Sequence, residues 1–198
     1  MDLNTLKGYL VELEPDDFVN EHIVNAVSPH VNKEQVEFIR ARISEAVGIN
    51  ITPSEIVIVG SAKLGFGLFS KKRRDQDPLP AFRPFGPESD IDVAVCSPQL
   101  FDAVWTELSD YALAKPWMPY KMNKTGDYLV YGWLRPDQIP YDARLRTLDS
   151  FKDRLMQLSR SPELMRRKIS GAIYRDLAFL KKYQVRGISH CRKELIIP

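Results

Sequence analysis

Val57-Ile58-Val59-Gly60-Ser61 and, further along, Glu88-Ser89-Asp90-Ile91-Asp92-Val93-Ala94-Val95 decide how this chain is read. Each contains an aliphatic run of strand length. In a strand successive side chains alternate between faces, so Asp90 and Asp92 share one side while Ile91 and Val93 turn to the core. Two carboxylates on one ledge make a candidate cation site. Hard divalent ions such as Mg²⁺ or Mn²⁺ take oxygen ligands and are held by one or two carboxylates plus the phosphates of a substrate. Gly60 lets backbone come close, and the amides that open the next helix present their positive end to phosphate. A Gly-Ser pair alone is a turn and N-cap signal, and Asp-x-Asp is common in loops. Here both acids stand where an aliphatic strand begins, and two like charges there call for a cation or another positive partner.

On Gly60-Ser61 and Ser89-Asp90-Ile91-Asp92 the chain resembles the DNA polymerase β-like nucleotidyltransferase superfamily. The signature there is a strand, a Gly-Ser or Gly-Gly at a helix start, then Asp-x-Asp or Asp-x-Glu on the next strand. The Ser-Asp-Ile-Asp wording is typical of small bacterial members. The resemblance covers the catalytic core, Ile56 to Leu145. It departs from the family between the two elements, where Gly67 to Glu88 form a long insertion.

The resemblance implies a Mg²⁺-dependent enzyme using ATP or another nucleoside triphosphate. Asp90 and Asp92 would hold the ions, Gly60 and Ser61 the β and γ phosphates, and Lys63 would face the phosphates. Members usually carry a third carboxylate on a later strand. Asp142, in Ile139-Pro140-Tyr141-Asp142-Ala143, is the preferred candidate and Asp127, after Thr125-Gly126, its rival. A surface pairing of Asp142 with Arg144 or Arg146, with no third ligand, also fits the sequence.

At 198 residues the chain has room for one sizeable core, or a core with a small helical appendage. Its 44% hydrophobic and 27% charged residues are ordinary for a soluble globular protein. No apolar run is long enough to span a bilayer and Met1-Asp2-Leu3-Asn4 is not a leader, so a cytoplasmic location is expected. Cys96 and Cys191 lack metal-ligand spacing and predict no disulfide, and His22, His30 and His190 read as surface or capping residues.

Net charge is only +2, but bases cluster in Lys71-Lys72-Arg73-Arg74 and between Arg160 and Lys193. Solvated faces are the plain account. In a chain that also reads as holding triphosphate, they point to an RNA acceptor or a partner protein with an acidic face.

Helix signals are clear from Asn32 to Gly48, where Asn32 caps, Gln35 follows three residues later and Val36, Ile39, Ile43 and Val47 form one stripe. Glu55–Val59 reads as a strand, Gly60-Ser61 as opening a short helix to Leu64, and the Pro- and Gly-rich insertion 67–88 as a loop. Ser97-Pro98 starts a helix with Phe101, Val104, Trp105 and Leu108 as core, stopped by Lys115-Pro116. Tyr128–Leu134 and Ile139–Leu145 read as an antiparallel hairpin. Leu148 to Leu158 and Ser161 to Gln184 read as two helices forming an αα-hairpin.

The expected fold is α/β, a small twisted mixed sheet with flanking helices. Residues 1–147 would be the nucleotidyltransferase core and 148–198 a helical C-terminal extension. The expected activity is transfer of a nucleoside monophosphate to a hydroxyl of a protein or RNA acceptor, in a bacterial toxin-antitoxin or phage-defence setting. The alternative is a degenerate nucleotide-binding or scaffold subunit of a defence complex.

Overall fold

The computed structural model describes residues 1–73, 76–115, 120–140 and 142–196, and at 72–73, 76 and 120–124 the backbone path alone. Arg74, Pro116 and Tyr141, which enter the readings above, lie outside the described residues. The chain begins with helices α1 (Leu3–Glu12) and α2 (Pro15–Phe18) and a π-helical segment at Val19–Asn25. Helix α3 (Lys33–Val47) has the expected ends. The Asn32 side chain accepts from Gln35 N–H at 2.8 Å, the Gln35 side chain accepts from Asn32 N–H at 3.0 Å, and Gly48 closes the helix at φ +67°.

Strand β1 (Ile56–Val59) leads into the one-turn helix α4 (Ser61–Leu64). The insertion, read as a loop, forms two small antiparallel ladders: β2 (Phe66–Gly67) with β5 (Arg83–Pro84), and β3 (Lys71–Arg73) with β4 (Gln76–Leu79). Then come β6 (Ile91–Cys96), α5 (Pro98–Leu113), α6 (Tyr120–Val130), β7 (Trp133–Leu134), α7 (Arg146–Leu158), β8 (Ile169–Tyr174) and α8 (Leu177–Ile196).

The main sheet is mixed, with order β1-β6-β8-β7. Strand β6 pairs antiparallel with β1 and parallel with β8, and β7 closes the far edge antiparallel to β8. Alternation sorts its residues cleanly. Ile56, Ile58, Ile91, Val93, Val95 and Ile173 face α3, α5 and α7 in the largest core, while Val57, Ala94, Cys96 and Tyr174 face Leu180 of α8. Helices therefore cover both faces of this α/β fold. A second apolar cluster joins Leu6, Leu10, Phe18 and Ile23 to Ile188 and Cys191, so the N-terminal helices pack on α8.

Three local readings are corrected. The hairpin at 128–145 is absent among the described residues, because Tyr128 to Val130 belong to the last turn of α6 and only Trp133–Leu134 pair. Ile139, Ala143 and Leu145 are buried all the same, so their alternation reports loop residues seated in the core. The helix expected from Ser161 to Gln184 is broken at Met165 and Arg166, both with positive φ, and Ile169–Tyr174 is a strand inside the sheet. No αα-hairpin forms there. A Cβ on Gly171 would lie 2.6 Å from Leu155 Cδ1 and 2.9 Å from Phe151 Cζ, so glycine is what lets α7 pack on β8. Trp105, read as core, is 49% exposed.

Candidate functional site

The first link between the two diagnostic stretches is strand register: Val59, at the end of β1, pairs with Asp92. Gly60 turns the chain at φ +65°, ψ −149°, a region glycine alone adopts readily. A Cβ there would lie 2.7 Å from Asp92 Oδ2. The Asp92 carboxylate thus rests against the bare Cα of Gly60, and this close approach explains the glycine. At the start of α4, Lys63 and Leu64 donate to Gly60 C=O and Gly65 donates to Ser61 C=O. Among the described residues the Ser61 and Ala62 amides donate to no backbone or side chain.

Asp92 shares its sheet face with Ala94 and Cys96, and across the parallel pair it stands opposite Ser170. Its carboxylate makes no hydrogen bond among the described residues. Burial, then the Asp90 charge, push its pKa from 3.8 to about 6, against opposing pulls from Lys71 and Lys168. Asp90 is better matched. Lys168 Nζ donates to its Oδ2 at 2.9 Å and Ser170 Oγ lies 3.4 Å from the same oxygen. The Asp90 side chain is 21% exposed and that of Lys168 69%, so the pair sits at the rim and its ammonium is free to swing into solvent.

Gly60, Ser61, Asp90 and Asp92 are therefore brought together, whereas the other sequence candidates stand elsewhere. Asp142 accepts from Tyr111 Oη at 2.8 Å and Lys115 Nζ at 3.0 Å, which hold its pKa below the usual carboxylate range. It pairs with neither Arg144 nor Arg146. Asp127 is exposed on α6. Among the described residues no three His, Cys, Asp or Glu side chains converge as a ligand set, so neither acid joins the pair. Lys63 does not face this site: its side chain is buried and its ammonium donates to Ala26 C=O.

Two residues escaped the sequence reading, Lys168 and Ser170. Lys168 reads as part of a basic run only while 161–184 is taken as helix. Gly171 and the β-prone Ile169, Ile173 and Tyr174 were the available strand signal. The basic segments also divide. Lys71 acts on Asp92, while Arg167 donates to the carbonyls of Gly86 and Pro87 and lies 4.7 Å from the centre of the Phe85 ring. Arg166 remains exposed.

Compared with family models, curated proteins and solved structures, the chain matches none. Among the described residues no helix is long and apolar enough to cross a membrane.

Proposed function

We propose that the chain is a Mg²⁺-dependent nucleotidyltransferase that transfers a nucleoside monophosphate, AMP from ATP, to a hydroxyl of a protein or RNA acceptor, in a bacterial toxin-antitoxin or phage-defence setting. The observation that carries this reading is the Asp92 carboxylate, half-buried, without a hydrogen-bond partner among the described residues, next to Asp90 and pressed against Gly60. Two sets of hard oxygen donors stand side by side, of which only Asp90 is ion-paired, by the exposed Lys168, and their chemistry fits a divalent ion. Asp90 and Asp92 would be the protein ligands. An ion held there would supply charge neutralisation for the triphosphate and for the pyrophosphate leaving group.

The chain's own residues supply the rest. Gly60 admits phosphate oxygens close to backbone, and the Ser61 amide, on a partly exposed residue, has no acceptor among the described residues and would donate to phosphate. Lys168, exposed at the rim and paired with Asp90, would supply a positive charge beside the phosphates. In the reaction the acceptor oxygen bonds to the α-phosphorus, the bond from that phosphorus to the bridging β-oxygen breaks, pyrophosphate leaves with the electron pair, and the hydroxyl proton leaves to water.

A second reading, a nucleotide-binding scaffold without turnover, is favoured by two observations: Lys168 occupies Asp90, and no third acid joins the pair among the described residues. Incubation with Mg²⁺ and α-labelled nucleoside triphosphates, with and without bulk RNA or a co-purifying protein, separates the two. Label on an acceptor, with pyrophosphate release lost in Asp90→Asn, supports the enzyme. Nucleotide binding without release supports the scaffold, and binding of neither metal nor nucleotide defeats both.

A further inference from the structure

Away from the carboxylate pair, a cavity of about 660 Å³ opens between the N-terminal helices, α4 and the root of the insertion. A second cavity, of about 380 Å³, runs along β1 and α3. Ala26, Val27 and Lys63 line both. The larger is walled by Tyr9, His22, His30, Phe66 and Phe85, and no carboxylate belongs to its lining among the described residues.

Lys63 is 7% exposed, a degree of burial that lysine reaches almost only when paired. Among the described residues it has no acidic partner. The one hydrogen bond of its ammonium among the described residues goes to Ala26 C=O, just past the π-helical segment. That contact is an ordinary helix-end cap and accounts for one donor, but an ammonium carries three. Burial alone pushes the Lys63 pKa down, with no carboxylate opposing it. The imidazoles on the same wall add donors. His22 stacks on Tyr9 at 4.8 Å, and its buried Nε2 makes no hydrogen bond, lying 4.0 Å from Glu21 Oε2. His30 stacks on Phe85 at 4.4 Å.

We propose that this cavity is a binding site for a small aromatic anion, a carboxylate or phosphate monoester on a planar ring, with Lys63 Nζ as its counter-charge and Tyr9, Phe66 and Phe85 as its walls. A buried ammonium lacking a counter-ion is costly, and an anionic head group supplies both the charge and the missing acceptors. Aromatic walls favour a planar body over an alkyl chain, because offset ring stacking adds to area burial. The size suits a small molecule. The site is separate from the carboxylate pair and does not depend on the proposed transferase activity.

The test is calorimetric titration of the purified protein with phenyl phosphate and with benzoate, divalent cations removed by chelation so that the Asp90–Asp92 site is silent. The wild type is expected to bind at least one probe, the preference between them distinguishing phosphate from carboxylate. Lys63→Met, close in volume and uncharged, should bind roughly tenfold more weakly or not at all, the effect of removing one charged hydrogen-bond donor. In case that variant does not fold, the wild type is also followed by NMR, where the bound probe should shift the ring signals of His22, His30 and Tyr9. Binding of neither probe overturns the proposal. So does unchanged affinity in a folded Lys63→Met, or shifts confined to residues around Asp92.

Discussion

Asp92 concentrates the chemistry of the molecule in one carboxyl group. Its folded pKa, about 6, lies above the ordinary value of 3.8, so between those values the folded protein holds a proton that the unfolded chain releases. Its stabilising contribution is full below about pH 4 and is lost as pH rises through about 6. Asp92→Asn removes that slope. Without metal at neutral pH it should melt higher than wild type, by roughly 2–4 °C for each kcal/mol of relieved repulsion, while losing transfer activity and any melting gain from Mg²⁺ and ATP. Melting curves from pH 4 to 7, with and without ligand, check this. An equal ligand-induced gain in the variant removes Asp92 from the site. Lys168 carries the opposite expectation: its ammonium donates to Asp90 and would compete with a cation held there. Lys168→Met should bind Mn²⁺ alone more tightly, by roughly two- to fivefold for the loss of an exposed ion pair, and bind Mg²⁺-ATP more weakly. Paramagnetic titration reads the first change and calorimetry the second, and unchanged Mn²⁺ affinity contradicts the competition.

Among the elements, those legible in sequence are the ones whose signals are local. Asn32, Gln35 and Gly48 fix both ends of α3 within the helix itself, and Ile56–Val59 and Ile91–Cys96 announce themselves as aliphatic runs. Strand β8 was not legible. Ile169, Ile173, Leu177 and Leu180 fit a helical stripe as well as they fit a strand followed by a helix, and only pairing with the distant β6 decides. The aromatic run at 128–134 failed for the converse reason, since β-propensity yields to packing context. Gly171 is the residue on which β8 and α7 depend. Gly171→Val forces a side chain onto Leu155 and Phe151, and the expected loss is about 1–3 kcal/mol, seen as a lower urea midpoint. A midpoint equal to wild type would mean that α7 does not press on β8.

For the whole molecule, placing β8 between β6 and β7 ties the last quarter of the chain to its middle, and α8 ties it to the N-terminal helices. Without residues 148–198, β6 keeps only β1 as a neighbour, and the N-terminal helices lose Ile188 and Cys191. A 1–147 fragment is therefore expected to lack a cooperative melting transition and a dispersed amide NMR spectrum; a cooperative, well-dispersed fragment would show that the extension is dispensable. The candidate site was legible to the extent that Gly60, Ser61, Asp90 and Asp92 lie on two short stretches. Lys168 and Ser170 reach it only through the register of a parallel pair, which leaves no mark in local sequence. The most direct measurement is paramagnetic line broadening of amide signals by sub-stoichiometric Mn²⁺ in the presence of ATP. The expected result is broadening centred on Gly60, Ser61, Asp92, Lys168 and Ser170, abolished in Asp92→Asn; broadening centred on Asp142, or none at all, would contradict a metal-nucleotide site at the Asp90–Asp92 pair.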